Sequence, residues 1–413
     1  MLTRRNFVLG SVIAAEASSL RDAFAGDSMP LPAWSPGELD IHHIDTGRGN
    51  CTFLIAPDGT TVLIDCGASN DGPDVSAPPR PNNSRPPAEW AARYALHHAR
   101  AAGRNTLDYL IATHIHPDHV GDLPPGSPPA SREPGFVPTG VSQFDQFMPA
   151  LTVIDRSFPD YGDLPPVGEF ARNYLAWLDS RRRAGRRVER AEVGSDRQIG
   201  LRSPEKYPDF SVRVLAANGC VWTGVRGVLE LFPHVQKLPV HDRPNENMCS
   251  IALHLRYGRF SYFSGGDLTA ETRDGRLPWM DVESPVAEAA GRVDVALANH
   301  HGYFDSCGPG FTKALDAQVY VIPAWHVTHP GPAQIERLLG AWPGQKLRDV
   351  FSTELLPANR LFNDRWTSEL RGTQGHVVVR VAADRAAFRV FVLDSTRENG
   401  PVVSASGPYA TRG

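Results

Sequence analysis

Cysteine is scarce in this 413-residue chain, and its placement excludes more than its number does. Cys51, Cys66, Cys220, Cys249 and Cys307 make an odd count, and no two of them form a C-x-x-C pair. A disulfide framework is thereby excluded, and each cysteine reads as a small buried residue rather than a ligand; a single disulfide stays open. An excess of positive charge is also missing. The formal net charge is −4, which gives no general attraction for long nucleic acid or for an anionic membrane. The one dense basic run, "RRRAGRR" (Arg181 to Arg187), reads as the solvated face of a helix rather than a phosphate-binding patch. Internal repeats are absent, and no apolar run reaches the length that stable membrane insertion needs. What is present is the composition of an ordinary globular protein, 41% hydrophobic and 21% charged, in a chain long enough to bury a large core.

The N-terminus is more specific. "LTRRNFVLGSVIAA" sets Arg4 and Arg5 ahead of Phe7 and a short, weakly apolar stretch, and "AFA" at 23–25 is a small-x-small pattern before Gly26. This resembles a twin-arginine export signal. The expected organisation is a signal peptide over 1–25, a linker over 26–38, one main domain over 39–395, and a C-terminal tail over 396–413. Within the main domain, 123–244 reads as an elaboration, a lid or substrate wall. The export machinery is then a partner, and the mature protein is periplasmic or secreted. Nothing in the sequence fixes the oligomeric state.

Strands and helices alternate along the main domain. "CTFLIA" and "TVLIDC" flank Asp58-Gly59, a hairpin turn signal. "AEWAARYALHHARAAG" has helical propensity and ends at Gly103; His97 and His98 on it are given no role. "LDYLIATH" is a buried strand, "VGEFARNYLAWLDSRRRAG" a helix, and "CSIALHLRYG" and "FSYFSGGDL" two further strands. "HVVVRVAADRAAFRVFVL" closes the domain as a hairpin. The order argues for helices packed outside a β-sheet or β-sandwich core.

The chemistry is concentrated in "THIHPDHVGD", just past the end of a core strand, where scaffolds place reactive groups. His114 and His116 are two apart, so on extended backbone both imidazoles point the same way and can reach one ion. Asp118 and His119 follow after Pro117 bends the chain and can serve a second. Imidazole and carboxylate suit zinc, manganese or iron. Asp267 after the paired glycines of "SGGD", His300 and His301 in "NHHG", and His329 in "VTHP" lie at other strand ends. A carboxylate at Asp267 can bridge two cations.

"HIHPDH" matches the HxHxDH signature of metallo-β-lactamase-fold hydrolases. The closer resemblance is to the branch of ComEC-type DNA-uptake proteins and phosphorylcholine esterases. It is carried by "IHHIDTGRGNCTFLIAPDGTTVLIDCG", "NENMCSIALHLRYGRFSYFSGGD", "VALANHHG" and "WHVTHPGPAQIERL". It covers roughly residues 39–122 and 245–395. The resemblance implies a mixed α/β fold, an αββα sandwich with an inserted region, and a site for two divalent ions, zinc first, with manganese or iron as alternatives. By position, one ion takes His114, His116 and His301, and the other takes Asp118, His119 and His329. Asp267 bridges them, and His300 faces the substrate. Of His300 and His301, the second is favoured as the ligand. His241 and His254 read as structural. Three residues depart from the branch: Asn50 for aspartate, Tyr303 for serine (Ser306 matches the later serine), and Thr328 for glycine.

The function so implied is an exported hydrolase. Two ions make a nucleophilic hydroxide near neutral pH, Asp118 accepts a proton, and the substrate is a small or envelope-derived phosphodiester. Lactone, thioester or β-lactam hydrolysis at the same site is the alternative. An oxygen-using iron enzyme and a non-catalytic metal-binding envelope protein are the others.

Overall fold

The structure is a computed structural model that describes residues 29–124, 126, 135–340 and 347–413. The expected signal segment and residues 26–28 lie outside the described residues. The chain opens with β1 (Leu39–His43), β2 (Cys51–Ile55) and β3 (Thr61–Cys66), then α1 (Pro87–Ala99), β4 (Leu107–Ala112) and the short α2 (Pro117–Val120). There follow α3 (Gly140–Phe147), β5 (Ala150–Asp155), α4 (Glu169–Arg183) and β6 (Arg187–Arg190). Next come β7 (Phe210–Ala217), β8 (Cys220–Trp222), β9 (Val228–Glu230), β10 (Ala252–Tyr257) and β11 (Phe260–Ser264). The last part holds α5 (Glu283–Ala290), β12 (Val295–Leu297), α6 (Pro309–Leu315), β13 (Val319–Ile322), α7 (Pro332–Leu339) and β14 (Asp349–Ser352). It ends with α8 (Pro357–Phe362), β15 (His376–Val381), β16 (Ala387–Leu393) and β17 (Val402–Ala410).

The strands form two sheets, ordered β17-β16-β15-β1-β2-β3-β4-β5-β6 and β14-β13-β12-β11-β10-β7-β8-β9. Alternation along each strand explains the layering. In β2 and β3, Leu54, Val62 and Ile64 face the other sheet, meeting Leu253, Leu255 and Val295. Phe53, Ile55 and Leu63 face outward onto α1, whose Ala88, Ala91, Ala92, Ala95 and Ala99 form one buried stripe. The second sheet is covered the same way: Phe263, Ala296 and Tyr320 pack under Val286, Phe311 and Leu338 of α5, α6 and α7. Helices thus cover both outer faces of two stacked sheets, the αββα sandwich. Strands buried on both faces read as continuous apolar runs.

Four expectations need correction. The 123–244 segment contributes strands to both core sheets. β5 and β6 extend the first sheet parallel to β4, and β7 pairs with β10 in the second. The expected tail carries β17, which completes the first sheet against β16. In the expected linker, Leu31 and Trp34 are buried in the helix-side core. In the arginine run, Arg181 is buried, donating to both oxygens of Asp145 at 2.8 and 2.7 Å and to the Ala150 carbonyl at 2.7 Å; Arg182 to Arg187 are exposed as expected. All five cysteines are free thiols, Cys51 and Cys66 facing each other across β2 and β3.

Candidate metal centre

Parallel pairing aligns strand ends. β3 with β4, and β11 with β12 and β13, run parallel, so their C-terminal ends share one edge of the sandwich. After β4 the chain runs extended to His116 (φ −123°, ψ 157°), and Pro117 then sets the first turn of α2. That turn lies against the "GRGN" and "DCG" segments. Asn50 N donates to the Asp118 carbonyl at 2.8 Å, and Ala68 N to the Pro117 carbonyl at 3.1 Å. A Cβ on Gly67 would stand 1.7 Å from the Asp118 backbone, so only glycine admits this approach. Across the edge, Gly266 (φ +57°) turns the chain after β11, and Asp267 N donates to Ser250 Oγ at 3.0 Å.

Four imidazole Nε2 atoms converge on one oxygen, Asp267 Oδ2: His119 at 3.2 Å, His301 at 3.4 Å, His114 at 3.7 Å and His300 at 3.8 Å. Asp118 Oδ2 joins them, 2.9 Å from His301 Nε2 and 3.5 Å from His119 Nε2. One donor atom each from Asp118, His119, Asp267 and His301 falls within 4.8 Å of the others, a set that could hold a metal ion. His114 Nε2 also lies 3.1 Å from His116 Nδ1.

The far nitrogens decide what the near ones offer. His301 Nδ1 lies 2.9 Å from the Pro323 carbonyl, which can only accept, so that nitrogen carries a proton. His119 Nδ1 donates to Asp65 Oδ2 at 2.7 Å, and His300 Nδ1 to Asp305 Oδ1 at 2.6 Å. Thr113 Oγ1 gives its proton to Asp65 Oδ2 at 2.8 Å, leaving its oxygen to accept from His114 Nδ1 at 3.2 Å. With Nδ1 tied off, each ring aims its Nε2 at carboxylate oxygen. Such nitrogens and oxygens need either protons or a cation between them, and a divalent ion can take the place of those protons, so the donor set fits divalent metal.

The ionisation pattern follows. Burial opposes charge on His119, but Asp267, Asp118 and Asp65 lift its pKa well above the usual range. Burial likewise opposes charge on His301, yet Asp267 and Asp118 raise it to about 9. Asp267 and Asp118 lie well below the usual carboxylate range; burial pushes them up, and the surrounding histidines outweigh it. His114 and His329 are held well below the usual imidazole range, first by burial and then by neighbouring histidines.

The structure brings Asp118, His119, Asp267 and His301 together, with His114 and His300 also near Asp267 and with His116 beside His114. The resemblance grouped His301 with His114 and His116, whereas the structure places it against Asp118 and His119. Two successive left-handed residues, His300 (φ 45°) and His301 (φ 55°), bring the His301 ring across to α2. His300 is at the rim, 17% exposed. His329 is buried outside the four-residue set, its ring stacked on His301 at 4.7 Å, with Nδ1 lacking any partner among the described residues. Asn50 is buried and donates to Asp65 Oδ2 at 3.2 Å; Tyr303 packs on His300 and His329. The His98 ring is tilted against Tyr94 at 4.4 Å, and His241 is exposed in the 3-10 turn Val240–Asp242.

Sequence reasoning missed the supporting carboxylates Asp65, Asp305, Glu246 and Glu283. Asp65 at the end of "TVLID" is wholly buried in a left-handed conformation (φ 58°), a charge no strand would bury without partners. Glu283 accepts from Cys307 N, Gly308 N and Asn299 Nδ2 and so braces the 299–308 loop.

Residues 44–125 match the profile of the metallo-beta-lactamase superfamily. This segment runs through β2, β3, α1, β4 and the HxHxDH turn, and the two-sheet architecture around it is consistent with that superfamily's sandwich. No curated protein sequence matches the chain. Solved structures that resemble it include a proposed metal-dependent hydrolase from Parabacteroides distasonis, with 12% identity, TM-score 0.36, and 77% of this chain and 94% of that one covered. Another is a point mutant of the CmlA beta-hydroxylase, with 13% identity, TM-score 0.39, and coverage of 84% and 54%. A third is unliganded yeast PDE1, with 15% identity, TM-score 0.37, and coverage of 83% and 98%. Such low similarity carries no argument about activity. The likeness to the metallo-beta-lactamase superfamily rests on the matched segment, residues 44–125, and on the sandwich.

Proposed function

We propose that this protein is an exported, metal-dependent hydrolase acting on a phosphodiester. The observation that carries the reading is the convergence of four imidazole Nε2 atoms on Asp267 Oδ2 beside Asp118. Asp118, His119, Asp267 and His301 would hold one divalent ion. His114 and His116 would hold a second, sharing Asp267, and His329 with its unpartnered Nδ1 is a further donor. Bound divalent ions supply Lewis acidity and a nucleophilic water at neutral pH.

The chain's own groups do the rest. Asp65 and the Pro323 carbonyl fix the ring orientation of His119 and His301, so the donors are set before substrate arrives. Asp118, 15% exposed, is placed to accept the proton released at the attacked centre. His300, held at Nδ1 by Asp305, presents Nε2 at the rim and is positioned to donate to the leaving oxygen. The branch resemblance supports a phosphodiester, and the negative net charge supports a small or envelope-derived one over long nucleic acid.

Export rests on Arg4, Arg5 and the 23–25 pattern. A secreted or periplasmic form beginning at Gly26 supports it, and an intact N-terminus in the cytoplasm refutes it. For activity, the metal-loaded chain is assayed on bis-p-nitrophenyl phosphate beside lactones, thioesters and β-lactams. Turnover of the diester is expected. Turnover confined to the carbonyl substrates moves the reaction to the alternative class at the same site, and none on any substrate contradicts the hydrolase reading.

A further inference from the structure

A cleft of about 510 Å³ opens beside His116, within the range of small-molecule sites. Leu164 and Val167 line it from the segment before α4, Phe170 from the first turn of α4, and Ile115 from the metal-loop side. Val167 is 78% exposed. Phe170 is seated by its neighbour: a Cβ at Gly168 would stand 2.7 Å from the ring.

Among the described residues, no lysine or arginine lines this cleft. Arg156, whose partner Glu246 lines the cleft, has its donors committed. Nε and Nη2 bind Glu246 at 2.6 and 2.7 Å, Nη1 binds Asn218 Oδ1 at 2.8 Å, and Nη2 also binds the Leu164 carbonyl at 2.9 Å. Glu246 Oε1 in turn accepts from Ile115 N at 2.9 Å. One ion pair therefore ties the apolar wall to the loop that carries His114 and His116. A negatively charged substrate arm here would meet no lysine or arginine among the lining residues and would lie beside the Glu246 carboxylate, so the wall suits an uncharged arm.

We propose that this cleft binds an uncharged apolar arm of the substrate, an alkyl or aryl ester group whose hydrolysable end lies at His116 and Asp267. The inference rests on the hydrolase reading above and names its substrate class. Burial of each methylene strengthens binding by about two- to fourfold, so chain length is the probe.

The metal-loaded full chain is assayed on methyl, butyl and octyl 4-nitrophenyl phosphate diesters, and calorimetry follows binding of methyl-, butyl- and octylphosphonate. The expected result is kcat/KM rising with chain length, chiefly through KM, with phosphonate affinity rising in parallel. Val167→Asp, on an exposed loop, should cut the octyl-to-methyl ratio about tenfold by setting a second carboxylate in the cleft. A flat diester series in the native protein, with the methyl ester still turned over, overturns the cleft and leaves the hydrolase reading standing. If no diester is turned over, the phosphodiester reading fails, and calorimetry decides the cleft. Affinity that climbs with chain length and is lost in Val167→Asp upholds it; affinity independent of chain length refutes it.

Discussion

Asp267 meets imidazoles where a buried carboxylate would ordinarily meet lysine or arginine, and Asp65 accounts for the direction of the nearest ring. Asp65 accepts from His119 Nδ1, Thr113 N and Thr113 Oγ1 at 2.7, 2.8 and 2.8 Å. Asp65→Asn keeps the shape but removes the charge that favours the Nδ1–H tautomer of His119. Such orienting partners are worth about 10- to 100-fold in metal affinity, so chelator competition should show a loss in that range with the fold intact by circular dichroism. The clustered Asp118, His119, Asp267 and His301 were legible in the sequence as candidates because they crowd one loop or follow strand ends. Asp65 was not, because its role exists only across the 54 positions that separate it from His119. The grouping of His301 was not legible either, since it depends on two left-handed residues that no spacing rule announces.

Arg156 and Glu246 join elements that the sequence holds 90 positions apart. The Arg156 side chain is fully buried, and Glu246 is its only acidic partner among the described ion pairs. Glu246→Ala leaves that guanidinium uncompensated, which costs about 3–5 kcal/mol; urea denaturation measures it. Arg156 lies within the 123–244 segment, which the resemblance does not cover, and Glu246 just past its end. The segment read as an elaboration because the resemblance does not cover it, so nothing announced that "ALTVID" and "SVRVLAAN" pair into the two sheets. β17 escaped notice for another reason: "VVSASGPYA" carries glycine and proline, tolerated because it is an edge strand.

On β15, His376 is buried and accepts at Nδ1 from Asp45 N at 3.1 Å, so the fold requires it neutral. Burial, and then His42, push its pKa down to about 3. An unfolded histidine takes a proton near pH 6.5. The neutral ring's contribution is therefore complete above pH 6.5 and is lost as pH falls toward 3. The stability gap between the native chain and His376→Ala should narrow on acidification, by up to about 1.4 kcal/mol per pH unit. A gap that is constant from pH 7 to pH 4 refutes this assignment.

The whole sandwich closes around an edge that gathers carboxylates and imidazoles from both sheets, from β3 and β4 on one side and β11, β12 and β13 on the other. A bound ion therefore links the two sheets, and it binds the folded chain far better than the unfolded one. At 100 times its dissociation constant, such an ion adds about 2.7 kcal/mol to stability. Chelation should lower Tm measurably, and zinc, manganese or iron should restore it; a Tm indifferent to all of these speaks against a structural link through the site. The sandwich as a whole was legible in the alternating elements and the HxHxDH loop, while its extent was not, because the 123–244 strands and β17 complete the two sheets only through long-range pairing.

The central claim is that this edge is a metal centre built on Asp267. Elemental analysis of the full chain, purified without chelators beside Asp267→Ala, tests it most directly. The expected result is at least one equivalent of divalent transition metal in the native protein and a large loss in the variant, with both folded. A native protein that carries no metal, and retains none after incubation with zinc, manganese or iron and dialysis, would contradict it.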